Sequence, residues 1–182
     1  MIPFTDYIIN LGPLYVPIMM FVIIGTVNAV NLTDGLDGLA SGITLIVSIF
    51  FMLLAISVGN SDVAILAAAT GGACLGFLGF NSYPAKVFMG DTGSMALGGA
   101  VVSFAVLTNS VLLIPIVGGI YFAEAISVIL QVTSFRLTGK RVFKMAPIHH
   151  HFEQCGWPET RVVFVFWIAT VVLAWIGIIA VF

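Results

Sequence analysis

Four polar side chains recur at every third position in an otherwise apolar part of the chain: Asn28, Asn31, Asp34 and Asp37. Residues three apart lie on the same face of a helix, with a slow drift around its axis. A carboxylate placed inside a bilayer costs about 2.5–3.5 kcal/mol. A helix that merely ends in an Asp-Gly turn needs only one aspartate. The stripe therefore predicts a binding or catalytic site at a membrane boundary.

A second polar segment covers residues 81–94 and contains Asp91-Thr-Gly-Ser94. Asp and Ser are good N-caps, so these residues could simply cap the following helix. A helix N-terminus also attracts phosphate, and Mg²⁺ commonly binds one or two carboxylates together with substrate phosphates. Asp91 is therefore a candidate ligand for Mg²⁺, and Lys86 could add positive charge. The apolar ring of Phe88 could stack on a base or anchor the loop in the membrane interface.

A third segment, residues 147–153, reads Pro-Ile-His-His-His-Phe-Glu. Consecutive helical residues point about 100° apart, so three adjacent histidines fit a single metal poorly. We interpret some of them as phosphate contacts and others as supports for the loop. An intramembrane carboxylate, Glu124, is a candidate functional group or a partner for a neighbouring helix, and Gln131 is better placed to reach the site.

The composition describes the elements that must position these residues. Hydrophobic residues make up 60% of the 182-residue chain and charged residues 8%, with a net charge of −2, whereas soluble domains carry about 25% charged residues. This composition predicts an all-α, polytopic membrane bundle and no nucleic-acid partner. Apolar runs that approach the ~20 residues needed to cross a bilayer lie at about 14–31, 40–58, 63–80, 94–109, 111–133 and 162–182.

The loops between these runs differ in charge. Loops after the first, third and fifth runs share one side of the membrane and carry all six basic residues. The positive-inside rule makes that side cytoplasmic. The three polar segments fall on the same side, so the sequence predicts a site on the cytoplasmic face. The basic residues could also contact anionic headgroups of membrane lipid; they are Lys86, Arg136, Lys140, Arg141, Lys144 and Arg161.

Together the three segments resemble, in order, three motifs of the bacterial phospho-N-acetylmuramoyl-pentapeptide transferases. That family belongs to the polyprenyl-phosphate N-acetylhexosamine-1-phosphate transferases, and the triple-histidine segment is specific to the muramoyl-pentapeptide branch. The resemblance covers essentially the whole chain. It implies transfer of a phospho-sugar from UDP-N-acetylmuramoyl-pentapeptide to undecaprenyl phosphate, giving UMP and lipid I for peptidoglycan synthesis in the inner membrane. It is also compatible with a homodimer.

The resemblance assigns roles residue by residue. Asp91 is the implied Mg²⁺ ligand, with Asn31 as a second, and Asp91, Asp34 and His150 are the implied catalytic residues. Phe88 stacks on the uracil. The implied substrate-binding residues are Asn31, Asp34, Asp37, Asn81, Phe88, Gln131, His149, His150 and His151.

One departure from the family concerns length. Its members are about twice as long, and their N-terminal half carries an Asp-Asp pair followed by lysine, which supplies a base or nucleophile. This chain has no Asp-Asp pair. We therefore expect residues 1–182 to form a single transmembrane domain that corresponds to the C-terminal part of the family, with Met1 a fragment boundary or an internal start. We also expect the chain alone to be inactive.

Three alternatives remain from the sequence. The first is a related transferase that uses UDP-N-acetylglucosamine. The second is a small transporter or channel, which would spread polar residues along its spans rather than gather them at one face. The third is a non-catalytic membrane fragment that only packs against a partner.

Overall fold

The computed structural model of the protein describes residue 5 and residues 11–181. The helices within this part confirm the predicted all-α class. In chain order they are α1 (Tyr15–Thr33), α2 (Leu39–Ser57), α3 (Ser61–Asn81), α4 (Gly90–Leu107), α5 (Ile114–Val117), α6 (Gly119–Thr138), α7 (Ile148–Gln154) and α8 (Glu159–Ile179), with 3₁₀ turns at Gly12–Leu14 and Val111–Leu113.

In the described part of the chain, six helices are long and apolar enough to cross a membrane, as predicted. They are α1, α2, α3, α4, α6 and α8. The predicted limits of the fifth span, 111–133, were wrong, because the chain breaks this apolar run at Gly118 into the short α5 and the long α6. Pro115 lies in the first turn of α5, where a missing backbone donor is tolerated.

The interior of the bundle is organised around α2, the most buried of the six spans. This helix packs mainly against α3 and α8, while α1 packs against α4 and α6. The approach of α2 to α8 requires glycine, since a Cβ on Gly42 would lie 2.1 Å from the Trp167 ring. Small residues allow such close helix contacts in membrane proteins.

One end of the bundle gathers the polar segments. The turn between α1 and α2 closes at Gly38, whose φ of 78° is a left-handed conformation that favours glycine. Next to this turn the backbone N–H of Asp37 donates to Glu159 at the start of α8, and Asn31 donates to Asp91 at the start of α4. Segments far apart in sequence therefore meet here, as the loop charges predicted.

Candidate functional site

Asp91 is oriented by a side chain from another helix. Asn31, in the last turns of α1, donates through Nδ2 to Oδ1 of Asp91 at 3.1 Å and to Oγ of Ser94 at 2.9 Å. The N-cap of α4 is Met89, and no side-chain hydrogen bond caps this helix. The Asp91 carboxylate thus does not act as an N-cap, and its side chain is exposed. It is held in place and remains open to a ligand.

Asp34 lies directly after α1 and is partly buried beside Asp91. Burial, and to a smaller extent repulsion from the Asp91 carboxylate, raises the pKa of Asp34 to about 6. A raised carboxyl pKa means that the site disfavours a second negative charge. A cation placed between the two carboxylates would relieve that repulsion.

The donor atoms at this position suit a hard divalent cation. Asn31, Asp34 and Asp91 contribute carboxylate and amide oxygens, which are the ligands that Mg²⁺ prefers. Among the residues that the structure describes, no group of three or more His, Cys, Asp and Glu side chains could hold a metal by itself. The two carboxylates and the amide oxygen could instead hold an ion together with oxygens of a bound ligand, the arrangement usual for Mg²⁺.

Asp37 makes hydrogen bonds within the protein. Its Oδ2 accepts from the backbone N–H of Ala85 at 2.8 Å, and its own backbone N–H donates to Oε1 of Glu159 at 2.7 Å. Asp37 therefore ties the α1–α2 turn to the loop between α3 and α4 and to the start of α8. The sequence predicted a substrate contact here, and the structure adds this bracing role.

Asn81, the last residue of α3, is buried and also bonds to protein groups. Its Oδ1 accepts from the backbone N–H of Gly38 at 3.1 Å and from Ser41 Oγ at 2.9 Å. Its Nδ2 donates to the carbonyl of Val87 at 3.0 Å. These bonds stabilise the α1–α2 turn and the α3–α4 loop, which flank the acidic pair formed by Asp34 and Asp91.

His149 is the buried member of the triple-histidine segment. Its Nδ1 lies 3.0 Å from Oε1 of Glu124, and the two side chains are 1% and 0% exposed. The alignment of these atoms does not meet hydrogen-bond geometry, so the contact is an electrostatic one between close, desolvated groups. This contact agrees with the expectation that Glu124 could partner a neighbouring helix.

The other two histidines have separate partners. Nδ1 of His150 lies 2.6 Å from Oε2 of Glu153 on the same helix. His151 accepts through Nδ1 from the backbone N–H of Lys144 at 3.1 Å. The three imidazoles therefore point to different groups, which is consistent with mixed roles.

Gln131 holds the loop that follows α6 through hydrogen bonds to its backbone. Its Oε1 accepts from the backbone N–H groups of Val142 and Phe143 at 3.0 and 2.9 Å, and its Nε2 donates to the Phe143 carbonyl at 2.9 Å. Beside this loop is a cavity of about 400 Å³ whose lining includes Arg136 and Arg141.

Two further predicted residues are exposed or face away. Phe88 is 73% exposed on the α3–α4 loop, so its ring is accessible to a base or to lipid. Asn28 donates through Nδ2 to the carbonyl of Ile24, one turn earlier in α1, so this amide group is used within its own helix. Of the four residues in the stripe, we therefore assign Asn31, Asp34 and Asp37 to the site and leave out Asn28.

Glu159 is a residue that the sequence reasoning did not single out. It lies in the first turn of α8 and accepts the Asp37 backbone N–H. The sequence could have pointed to Glu159, because it is an acidic residue directly before the last apolar run, on the side of the membrane that carries the other motifs.

Comparison with known proteins identifies the family. Residues 1–109 match the family model described as Glycosyl transferase family 4. The chain belongs to glycosyl transferase family 4. Two relatives with the name Phospho-N-acetylmuramoyl-pentapeptide-transferase match nearly all of this family member: that of Clostridioides difficile (strain 630) is 80% identical over 100% of the chain, and that of Alkaliphilus metalliredigens (strain QYMF) 66% over 94%.

These matches cover 57% and 52% of the two relatives. The glycosyl transferase family 4 chain described here therefore spans about half the length of the curated relatives it matches. The family resemblance read from the three motifs is confirmed, as is the difference in length.

Proposed function

We propose that this chain, joined to the part of the protein that its relatives have beyond the match, transfers phospho-N-acetylmuramoyl-pentapeptide from its UDP donor to undecaprenyl phosphate. The products are UMP and lipid I. The observation that carries the proposal is the acidic pair Asp34 and Asp91, with Asp91 held by Asn31, at the end of the bundle where the three motifs meet. The names of the two relatives support the choice of substrate.

The position of the site suits one soluble and one lipid-embedded substrate. The acidic pair lies at the end of spans α1 and α4, at the boundary between apolar helices and polar loops. We propose that this boundary is the cytoplasmic face of the inner membrane, because the basic residues of the chain share it.

Mg²⁺ is the proposed cofactor, with Asp91 and Asn31 as its protein ligands. When bound, the ion would neutralise charge on the phosphates. Asn31 orients the Asp91 carboxylate, and Asp34 adds negative charge that favours the cation. His150 lies beside Glu153, which orients its ring, and the imidazole of His150 could contact the diphosphate.

The reaction makes and breaks one phosphorus–oxygen bond. An oxygen of undecaprenyl phosphate bonds to the phosphorus that carries the sugar, and the bond from that phosphorus to UMP breaks. Little covalent chemistry is required of the protein in such transfers, so positioning and electrostatic stabilisation supply most of the catalysis. The braced α1–α2 turn provides this positioning.

A chimera tests the proposal. Residues 1–182 are joined to the remaining part of the C. difficile relative, which is 80% identical over the matched region. The purified chimera is assayed for lipid I with UDP-N-acetylmuramoyl-pentapeptide, undecaprenyl phosphate and Mg²⁺. We expect lipid I to form with this donor. Use of UDP-N-acetylglucosamine alone would instead identify the related transferase, and no product from either donor would reject the transferase function.

A further inference from the structure

Glu124 is a fully buried carboxylate that the proposed reaction does not use. It projects from α6 towards the start of α7. Besides the 3.0 Å contact with the His149 ring, its Oε2 accepts from the His149 backbone N–H at 3.5 Å. One carboxylate on a membrane-spanning helix therefore fixes both the backbone and the ring of a histidine in the loop region.

The opposite edge of the His149 ring lies against the α1–α2 turn. A Cβ on Gly35 would lie 2.3 Å from Nε2 and 2.7 Å from Cε1 of this ring. Since the φ of Gly35 is not in the left-handed region, glycine is required here for space and not for conformation. The ring is thus wedged between Glu124 and the turn.

This wedge is next to the acidic site. Gly35 follows Asp34, and Asp37 comes two residues later in the same turn. A buried polar group that loses its partner is destabilising, so the ring and the carboxylate are expected to keep each other in place. Displacement of the ring would release the turn, and a shift of about 1 Å at a reacting site can cost about a hundredfold in rate.

We propose that Glu124 is a positioning residue of the transfer site, acting through His149 to hold the turn from Asp34 to Gly38. The role of the turn in catalysis rests on the proposed function. The mechanical part of the proposal, that Glu124 fixes the turn, does not.

The first test measures the turn directly in the chimera. Amide hydrogen exchange is followed at Asp37 and Gly38, whose N–H groups donate to Glu159 and Asn81. In Glu124→Gln we expect exchange at these two amides to rise about tenfold while core amides of α2 stay protected, which separates local release from general unfolding. Unchanged exchange at both amides would overturn the proposal, whether or not the chimera is active.

Ser127→Ala is the matched control. Ser127 is also buried on α6, and its hydroxyl bonds within the helix, to the Glu124 carbonyl. We expect this variant to keep the wild-type exchange rates. Equal acceleration by Ser127→Ala and Glu124→Gln would contradict a role specific to the carboxylate.

The second test uses the lack of room for a side chain at Gly35. Gly35→Ala should accelerate exchange at Asp37 and Gly38 because the new methyl group overlaps the imidazole. In a His149→Ala background the same substitution should add nothing, since the ring is gone. An equal effect of Gly35→Ala in both backgrounds would overturn the proposed wedge.

Turnover provides the link to catalysis. We expect Glu124→Gln to lower kcat by about ten- to a hundredfold with a smaller change in the KM of the donor, because the ligands remain and their placement is altered. An active chimera with released amides and unchanged kcat would show that the turn does not serve the reaction.

Discussion

Two groups of polar side chains lie at the same end of the bundle, and the protein uses them differently. Asp34 and Asp91 leave carboxylate oxygens available to a ligand, and Asn31, whose Nδ2 is used within the protein, leaves its amide oxygen. Asn81 and Gln131, in contrast, direct their amides to backbone groups of the neighbouring loops. We call these the open group and the bracing group. Membership of a motif therefore does not by itself separate a ligand contact from a support.

The largest expected effect comes from the open group. Asp91→Asn in the chimera removes the charge that would bind the cation while keeping an acceptor for Asn31. We expect lipid I formation to fall by at least about a hundredfold, the scale seen when one electrostatic group of a site is lost. Near-normal turnover at saturating Mg²⁺ would reject the role of Asp91. Thermal unfolding in detergent should not show a loss of stability, because a repulsive contact with Asp34 is relieved.

Substitution in the bracing group should lower the stability of the protein, which substitution of Asp91 should not do. Asn81→Ala leaves the Gly38 N–H, the Ser41 hydroxyl and the Val87 carbonyl without their partner. Gly38 and Ser41 are buried, and each buried polar group that loses its partner costs about 1–3 kcal/mol, so we expect a clearly lower Tm. A wild-type Tm combined with weaker donor binding would move Asn81 from the bracing group to the open group.

Substitution of Phe88 tests whether this exposed ring contacts the substrate, as the open group is proposed to do. If its exposed ring stacks on the uracil, Phe88→Leu should raise the KM of the donor about tenfold, since base stacking contributes about 1–3 kcal/mol. Phe88→Tyr, which keeps an aromatic face, should behave like the wild type. Similar KM values for the Leu and Tyr variants would favour the alternative role as a membrane anchor.

A smaller effect is expected from the titration of Asp34. The folded-state pKa of this carboxyl is about 6, above the ordinary value of 3.8, so the folded protein binds its proton more tightly than the unfolded chain does. Stability without divalent cations should therefore decrease as the pH rises from about 4 to 6. Tm measured in a chelator across this range should show the decrease, and Asp34→Asn should reduce it. An undiminished slope in that variant would assign the effect to other groups.

The sequence predicted the membrane class, the six spans and the convergence of the polar segments, because apolar length and loop charge are local properties. The break at Gly118 was missed, since Pro115 and Gly118 lie within a continuous apolar run. The bracing role of Asn81 was also missed. The type and position of a polar residue in a motif do not show whether its hydrogen-bond partner is a substrate or the backbone of a loop. The contact between Glu124 and His149 depends on how α6 and α7 pack, which no local pattern records.

The central claim is that the open group binds a divalent cation and the bracing group does not. Calorimetric titration of Mg²⁺ into the chimera, in the presence of UMP, tests it most directly. We predict saturable binding by the wild type, its loss in Asp91→Asn, and its retention in Gln131→Ala, which removes a bracing amide outside the acidic pair. Equal Mg²⁺ binding by the wild type and Asp91→Asn would contradict the account.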